Sequence, residues 1–116
     1  MTVNVIGSAS GTAAVLATRS YSGITDTLVI GDANNRVEST GSSSVTETIP
    51  TNASVAFPVD TLIELSQYGS GQVEIVGAAG VTIDSPGGLV HTRTQFSTVG
   101  LFYRGSNVWI LSGDLG

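Results

Sequence analysis

SVAFPVDTLIELSQYGSGQVEIVGAAGVTID, residues 54–84, decides how the chain reads. An apolar run closes at Phe57-Pro58, and a strand candidate follows over Thr61–Tyr68. Gly69-Ser70-Gly71 then separates it from Gln72–Val76, and Gly77-Ala78-Ala79-Gly80 separates that from Val81–Asp84. Short strands joined by glycine-bearing loops predict consecutive hairpins. Val73 and Ile75 alternate with Gln72 and Glu74, and Val81 and Ile83 with Thr82 and Asp84. A period of two with polar residues on the other face is the pattern of a half-buried antiparallel sheet. The stretch predicts a β-meander.

Outward from it the same punctuation continues. Thr27–Ile30 predicts a strand, Gly31-Asp32-Ala33-Asn34-Asn35 a turn, and Arg36–Ser39 the return. Val45–Ile49 alternates, although Glu47 shares a face with Val45 and Ile49. Pro86-Gly87-Gly88 breaks the chain before Leu89–Thr94, and Gly100–Arg104 with Val108–Ser112 predicts a last hairpin across Gly105-Ser106-Asn107. About ten candidate strands without a convincing helix predict an all-β fold, an antiparallel β-sandwich of jelly-roll-like type. The strands share no fixed period, so a solenoid is not expected. The predicted core is Leu28, Ile30, Val45, Ile49, Phe57, Ile63, Leu65, Val73, Ile75, Val81, Ile83, Leu101, Val108 and Ile110.

Residues 1–25 are rich in Ser, Thr, Ala and Gly. They read as a weakly structured lead-in, or as an extended arm that orders on a neighbouring subunit, ahead of a β-sandwich domain over residues 26–116. Thr2–Ile6 and Ala13–Thr18 are the strand candidates within it. The 116 residues suffice for one domain that buries roughly 65% of its unfolded surface.

Charged residues make up only 11% of the chain, with no lysine, four arginines and net charge −5. No basic cluster exists, so nucleic acid and anionic membranes are poor partners. No apolar run reaches membrane-spanning length, and no secretory signal pattern opens the chain. Without cysteine there is no disulfide framework and no thiolate metal site. A surface this poor in charge suits one covered by copies of itself or by a larger assembly.

The residues that could carry chemistry each have a plainer reading. His91 is the only histidine, without a second imidazole or a nucleophile-elbow motif beside it. Glu47, Glu64 and Glu74 on neighbouring strands could flank a sugar as acid and base, but solvated sheet-face carboxylates are the commoner case. Asp32-Ala33-Asn34-Asn35 lacks the downstream glutamate of a calcium loop. The glycine loops join strand to strand rather than strand to helix, so they do not read as phosphate cradles. Asn52-Ala53-Ser54 fits a glycosylation sequon. Phe102, Tyr103 and Trp109 read as core, with Trp109 also able to seal a subunit contact. No catalytic, cofactor-binding or metal-ligating residue is assigned. The interface candidates are Val3, Val5, Ile6, Val15, Leu16, Tyr21 and Trp109.

Val45-Thr46-Glu47-Thr48-Ile49-Pro50, then Asn52-Ala53-Ser54-Val55-Ala56-Phe57-Pro58-Val59, then Thr61-Leu62-Ile63-Glu64 form an ordered series. Gln67-Tyr68-Gly69-Ser70-Gly71-Gln72-Val73, Gly80-Val81-Thr82-Ile83 and Asn107-Val108-Trp109-Ile110-Leu111-Ser112-Gly113-Asp114-Leu115 continue it. Over residues 24–115 this series resembles a small β-domain of tailed-bacteriophage virion structural proteins. The resemblance implies a non-enzymatic building block, frequently trimeric, that partners itself and the major capsid protein. It implies a capsid decoration (cement) protein on the outer surface of the head, made in the host cytoplasm and needing no cofactor. The alternative is a tail fibre module that binds a carbohydrate receptor, for which Tyr21, Tyr68 and Tyr103 are the available tyrosines. On the first reading, residues 1–25 would run across neighbouring capsid subunits as a clamp.

Overall fold

Glycine corners here carry the chain from one sheet to another instead of folding a strand back on its neighbour. The computed structural model describes residues 15–116. Among them are nine strands: β1 (Thr18–Tyr21), β2 (Thr25–Thr27), β3 (Arg36–Ser39), β4 (Val45–Ile49), β5 (Leu62–Gln67), β6 (Val73–Gly77), β7 (Thr82–Asp84), β8 (Thr98–Gly105) and β9 (Val108–Gly113). Two short 3-10 turns, Ile30–Asp32 and Pro86–Gly88, interrupt the connections. The protein is all-β, with a six-stranded sheet in the order β1-β3-β5-β8-β9-β7 and a three-stranded sheet in the order β2-β4-β6.

Odd-numbered strands β1, β3 and β5 stack in parallel in the large sheet, while β2, β4 and β6 stack in parallel in the small one. The chain therefore winds as a short coil, each turn contributing one strand to each sheet. Thr18 faces Arg36 and Arg36 faces Glu64, steps of 18 and 28 residues. Thr25 faces Thr46 and Thr46 faces Glu74, steps of 21 and 28. The steps differ because the connections outside the core differ in length, so a coil forms without a fixed sequence period. This corrects two expectations. The predicted meander over residues 54–84 does not form, since β5 and β6 lie in different sheets, and five of the seven strand pairings are parallel rather than antiparallel.

The reason lies at the corners. Gly71 N–H donates to Gly41 O at 3.1 Å, and Gly69 N–H to Ser39 O at 3.0 Å. A Cβ at Gly69 would strike the Gly41 and Thr40 backbone; one at Gly71 would strike that of Ser43. A Cβ at Gly41 would lie 2.7 Å from Ser22 O. The corners thus stack backbone on backbone through three turns, and glycine is required there by close approach rather than by φ.

After β6 the chain changes mode. β8 pairs antiparallel with β5 and with β9, and β7 joins β9 in parallel. The β8–β9 hairpin appears as predicted. Ser106 and Asn107 both have positive φ, 55° and 60°, the two-residue turn that matches strand twist.

One core draws side chains from both sheets, including Leu28, Val37, Ile49, Ile63, Leu101 and Trp109. Three of the predicted core residues are elsewhere. Ile30 is exposed at its 3-10 turn, and Val108 and Ile110 are on the opposite face of β9, whose buried residues are Trp109 and Leu111. Val108-Trp109-Ile110-Leu111 is apolar at every position, so alternation cannot choose its inward face. Within the expected lead-in, Thr18–Tyr21 pairs in the large sheet, and Thr25–Thr27 pairs in the small one.

Candidate interaction surface

The first turn of the coil gathers charge that the rest of the core lacks. Arg19 is on β1, Asp26 on β2, and Asp32 ends the Ile30–Asp32 turn. Arg19 donates through Nη1 and Nη2 to both oxygens of Asp26 at 2.8 Å, and through Nε and Nη2 to both oxygens of Asp32 at 2.9 Å. Asp32 is buried, and it also accepts the Val29 N–H at 2.9 Å. One guanidinium holding two carboxylates by both edges uses the planar fork that only arginine offers. The Asp26 and Asp32 hydrogen bonds hold the Arg19 guanidinium above its ordinary value. Burial pushes the Asp26 carboxyl up, but the Arg19 bonds and the neighbouring Glu47 outweigh it, and the net shift is downward.

Glu47 stands beside this cluster as the register partner of Asp26, wholly buried on the apolar face of β4. Its Oε1 accepts from Tyr21 Oη at 2.7 Å, while Oε2 is buried without a hydrogen-bond partner. Burial, and then the nearby Asp26, pushes the carboxyl up to about 9, so Glu47 is a neutral acid at pH 7. Burial and Glu47 raise Tyr21 as well. A buried neutral acid beside a hydroxyl could transfer a proton, yet Glu47 is closed to solvent. Here the group fixes β1 against β4.

In the same part of the chain Leu16, Ile24, Val29 and Ile30 are exposed, and β1 and β2 face no further strand among the described residues. Half of the exposed large apolar side chains of the described chain fall in residues 15–30, with Val15 the fifth. Exposed apolar side chains grouped in this way are the usual makeup of an interaction surface.

The second apolar area is the outer face of the large sheet. Leu62 faces Phe102, and Phe102 faces Ile110, in one cross-strand row. Leu62 is half-exposed, and Phe102 and Ile110 are partly so. Next to this row a groove of about 420 Å³ opens over Gly100 and Gly113, walled by Leu16, Leu62 and Glu64. Arg36 borders it with an ion pair to Glu64 at 3.2 Å.

The predicted interface residues separate on this map. Val3, Val5 and Ile6 lie outside the described residues. Val15 and Leu16 are exposed at the coil's first turn. Tyr21 points inward to Glu47. Trp109 is 1% exposed, packed against Phe57 and Tyr103 with ring centroids 5.4 and 4.8 Å away, so it is part of the core.

The three glutamates do not converge. Glu47 is inside, Glu64 is in the other sheet paired with Arg36, and Glu74 lies 3.9 Å from His91 Nε2 at the small-sheet edge. Asp32 serves Arg19, and no group of metal-ligating side chains occurs among the described residues. Arg19 and Asp26 are the members that sequence reading misses. The usable signal was Glu47 at an inward parity, since a buried acid needs polar company.

A comparison of the chain with protein-family models, curated proteins and solved structures finds no match.

Proposed function

We propose that this chain is an adhesive structural module of a tailed-phage virion, a decoration (cement) protein that acts as a homotrimer on the outer surface of the head, over the major capsid protein. The observation that supports it is the Leu62–Phe102–Ile110 row with its adjoining groove, an apolar face on a rigid sheet in a chain with few charges. Covering such a face stabilises a contact by about 25 cal/mol per Å² of apolar area removed from water. Linked copies add avidity, so that several weak contacts hold together. The test is the copy number on purified particles, with Phe102→Asp as the companion variant. A copy number matching the shell lattice, lost in a folded Phe102→Asp protein, is expected. Absence from particles, or full occupancy by the variant, overturns the reading.

A tail-fibre receptor module has one observation of its own. Tyr68 and Phe96 are 58% and 68% exposed and meet edge to face at 5.7 Å. Phe96 holds φ at 74°, a costly conformation for a bulky residue. An exposed aromatic pair offers a stacking platform for a sugar ring. A handful of copies per particle, with glycan binding lost on Phe96→Ala, would favour this reading.

A further inference from the structure

Three features of the surface work against the stability of an isolated chain. The first is Gly100, the third residue of β8, set between Glu64 of β5 and Ser112 of β9. Glycine inside a strand weakens it, unless the backbone there needs one. Here it does not. Gly100 has no positive φ, and an added Cβ would meet only Leu62 Cδ1, at 3.9 Å, an ordinary contact. The corner glycines 69 and 71 have no such room. What Gly100 provides is the open floor of the large-sheet groove, whose apolar walls include Leu16 and Leu62. A strand glycine of this kind marks a place where something approaches closely.

The other two features are the exposure of Phe96 and its positive φ. Neither comes from a loose loop. Phe96 N–H donates to Gln67 O at 2.6 Å, and Ser97 N–H to Thr94 O at 3.1 Å. Ser97 Oγ accepts from Thr94 N–H at 3.1 Å and donates to Asp114 Oδ2 at 2.7 Å. Gln95 Nε2 donates to Tyr68 O at 3.1 Å. The loop is pinned at both ends and holds the ring out in solvent, turned to Tyr68 and away from the groove of its own chain. Such ordering in advance lowers the entropy cost of a later contact. Charge permits that contact as well. Thr94-Gln95-Phe96-Ser97 is uncharged, and Glu64 at the groove is already paired with Arg36.

We propose that Phe96 of one copy of this chain seats in the Gly100 groove of the next. One contact then accounts for all three features: the unneeded glycine, the exposed ring and its held conformation. An aromatic anchor in an apolar pocket is the usual centre of a strong interface. Knob and groove are separate patches, so each copy gives one and receives one, a head-to-tail contact that can close as a ring. The inference rests on the self-association in the proposed function and names its contact. Phe102 and Ile110 lie outside the groove and stay free for the shell. A ring seated in this way is not a sugar platform, so the two uses of Phe96 exclude each other.

The experiment measures the mass of the purified chain by light scattering, without particles, beside its urea midpoint. Wild type is expected to associate. Gly100→Val fills the groove, and Phe96→Gly removes the knob while suiting the positive φ. Both should run as monomers with a midpoint equal to or above that of monomeric wild type, so association and stability move apart. A merely structural role would lower both. The milder Gly100→Ala and Phe96→Leu, each weakening association about tenfold, should together cost much less than the product, because the two positions meet. Monomeric wild type at the highest soluble concentration overturns the proposal. So does wild-type mass in either Phe96→Gly or Gly100→Val, or strictly multiplicative losses in the milder pair. A protein that associates but is absent from particles would defeat the shell reading and leave this contact standing.

Discussion

The two ends of the small sheet are finished by different chemistry. At the β6 end, Ile75 N–H donates to Val90 O at 2.8 Å and Thr92 N–H to Val73 O at 3.0 Å. The Thr92 hydroxyl accepts from Val73 N–H at 3.0 Å and donates to Gln67 Oε1 at 2.5 Å. That edge is closed by neutral hydrogen bonds, and its apolar side chains are inside. At the β2 end the described residues close nothing. A charged cluster is instead tied together by one arginine, and apolar side chains stand at the rim. Sheet edges must be paired, covered or made repellent. The first end is paired, and the second is left unpaired by the described residues.

Substitutions at four positions break or sharpen this contrast. The largest effect is expected midway between the ends, where the corners stack. A Cβ at Gly71 would lie 2.6 Å from the Ser43 carbonyl carbon, so Gly71→Ala must shift backbone. It should lower stability by about 3–4 kcal/mol, read as a fall in the urea midpoint. An unchanged midpoint would mean that the turns are not in register.

At the closed end, Thr92→Val keeps the shape and removes the hydroxyl, leaving Val73 N–H and Gln67 Oε1 buried without that partner. About 2–3 kcal/mol should be lost in the same titration. At the other end, Arg19→Ala frees two carboxylates, one of them buried. The Arg19 side chain is about one-third exposed, so solvent screens part of the effect, and about 2 kcal/mol is expected. Arg19→Lys should recover only part of it, because a single ammonium cannot grip both carboxylates by their edges.

The last effect is a slope with pH. Glu47 holds its proton up to about 9 in the native state, against an ordinary value of 4.5. The native form therefore keeps a proton that the unfolded chain has released between these values. Its contribution is fully present below pH 4.5 and is lost as pH rises toward 9. One proton can supply a slope of at most about 1.4 kcal/mol per pH unit. Glu47→Gln, a neutral isostere that needs no proton uptake on folding, should be at least as stable as wild type at pH 7 and flatten this slope. A wild-type stability that rises across that range would contradict a buried neutral acid.

Much of the local structure was legible. β5, β6 and β7 fall on the three predicted strands of residues 54–84, within a residue or two at their ends. Nine of the fourteen predicted core residues are buried, and Val81 and Ile83 pack against that core. Alternation exposes such positions whatever their neighbours, because it depends only on which face is dry. The Thr27–Ile30 prediction was displaced: Thr25–Thr27 forms the strand, and Asp32 turns back in a 3-10 helix to reach Arg19. The charged cluster was hidden because its members sit 7 and 13 residues apart and meet only through the corner.

What the sequence determined by itself was the β class, the strand positions, the glycine corners and the polar surface with few charges. Alternation and turn chemistry are local, so they survive any choice of partner strand. The tertiary structure decided which strands are partners. Gly69-Ser70-Gly71 could have reversed the chain into a hairpin, as Ser106-Asn107 does. Whether a glycine is there for a left-handed turn or for backbone contact with the previous corner is settled only when that corner is in place. That contact sends β6 to the second sheet and makes the pairing parallel.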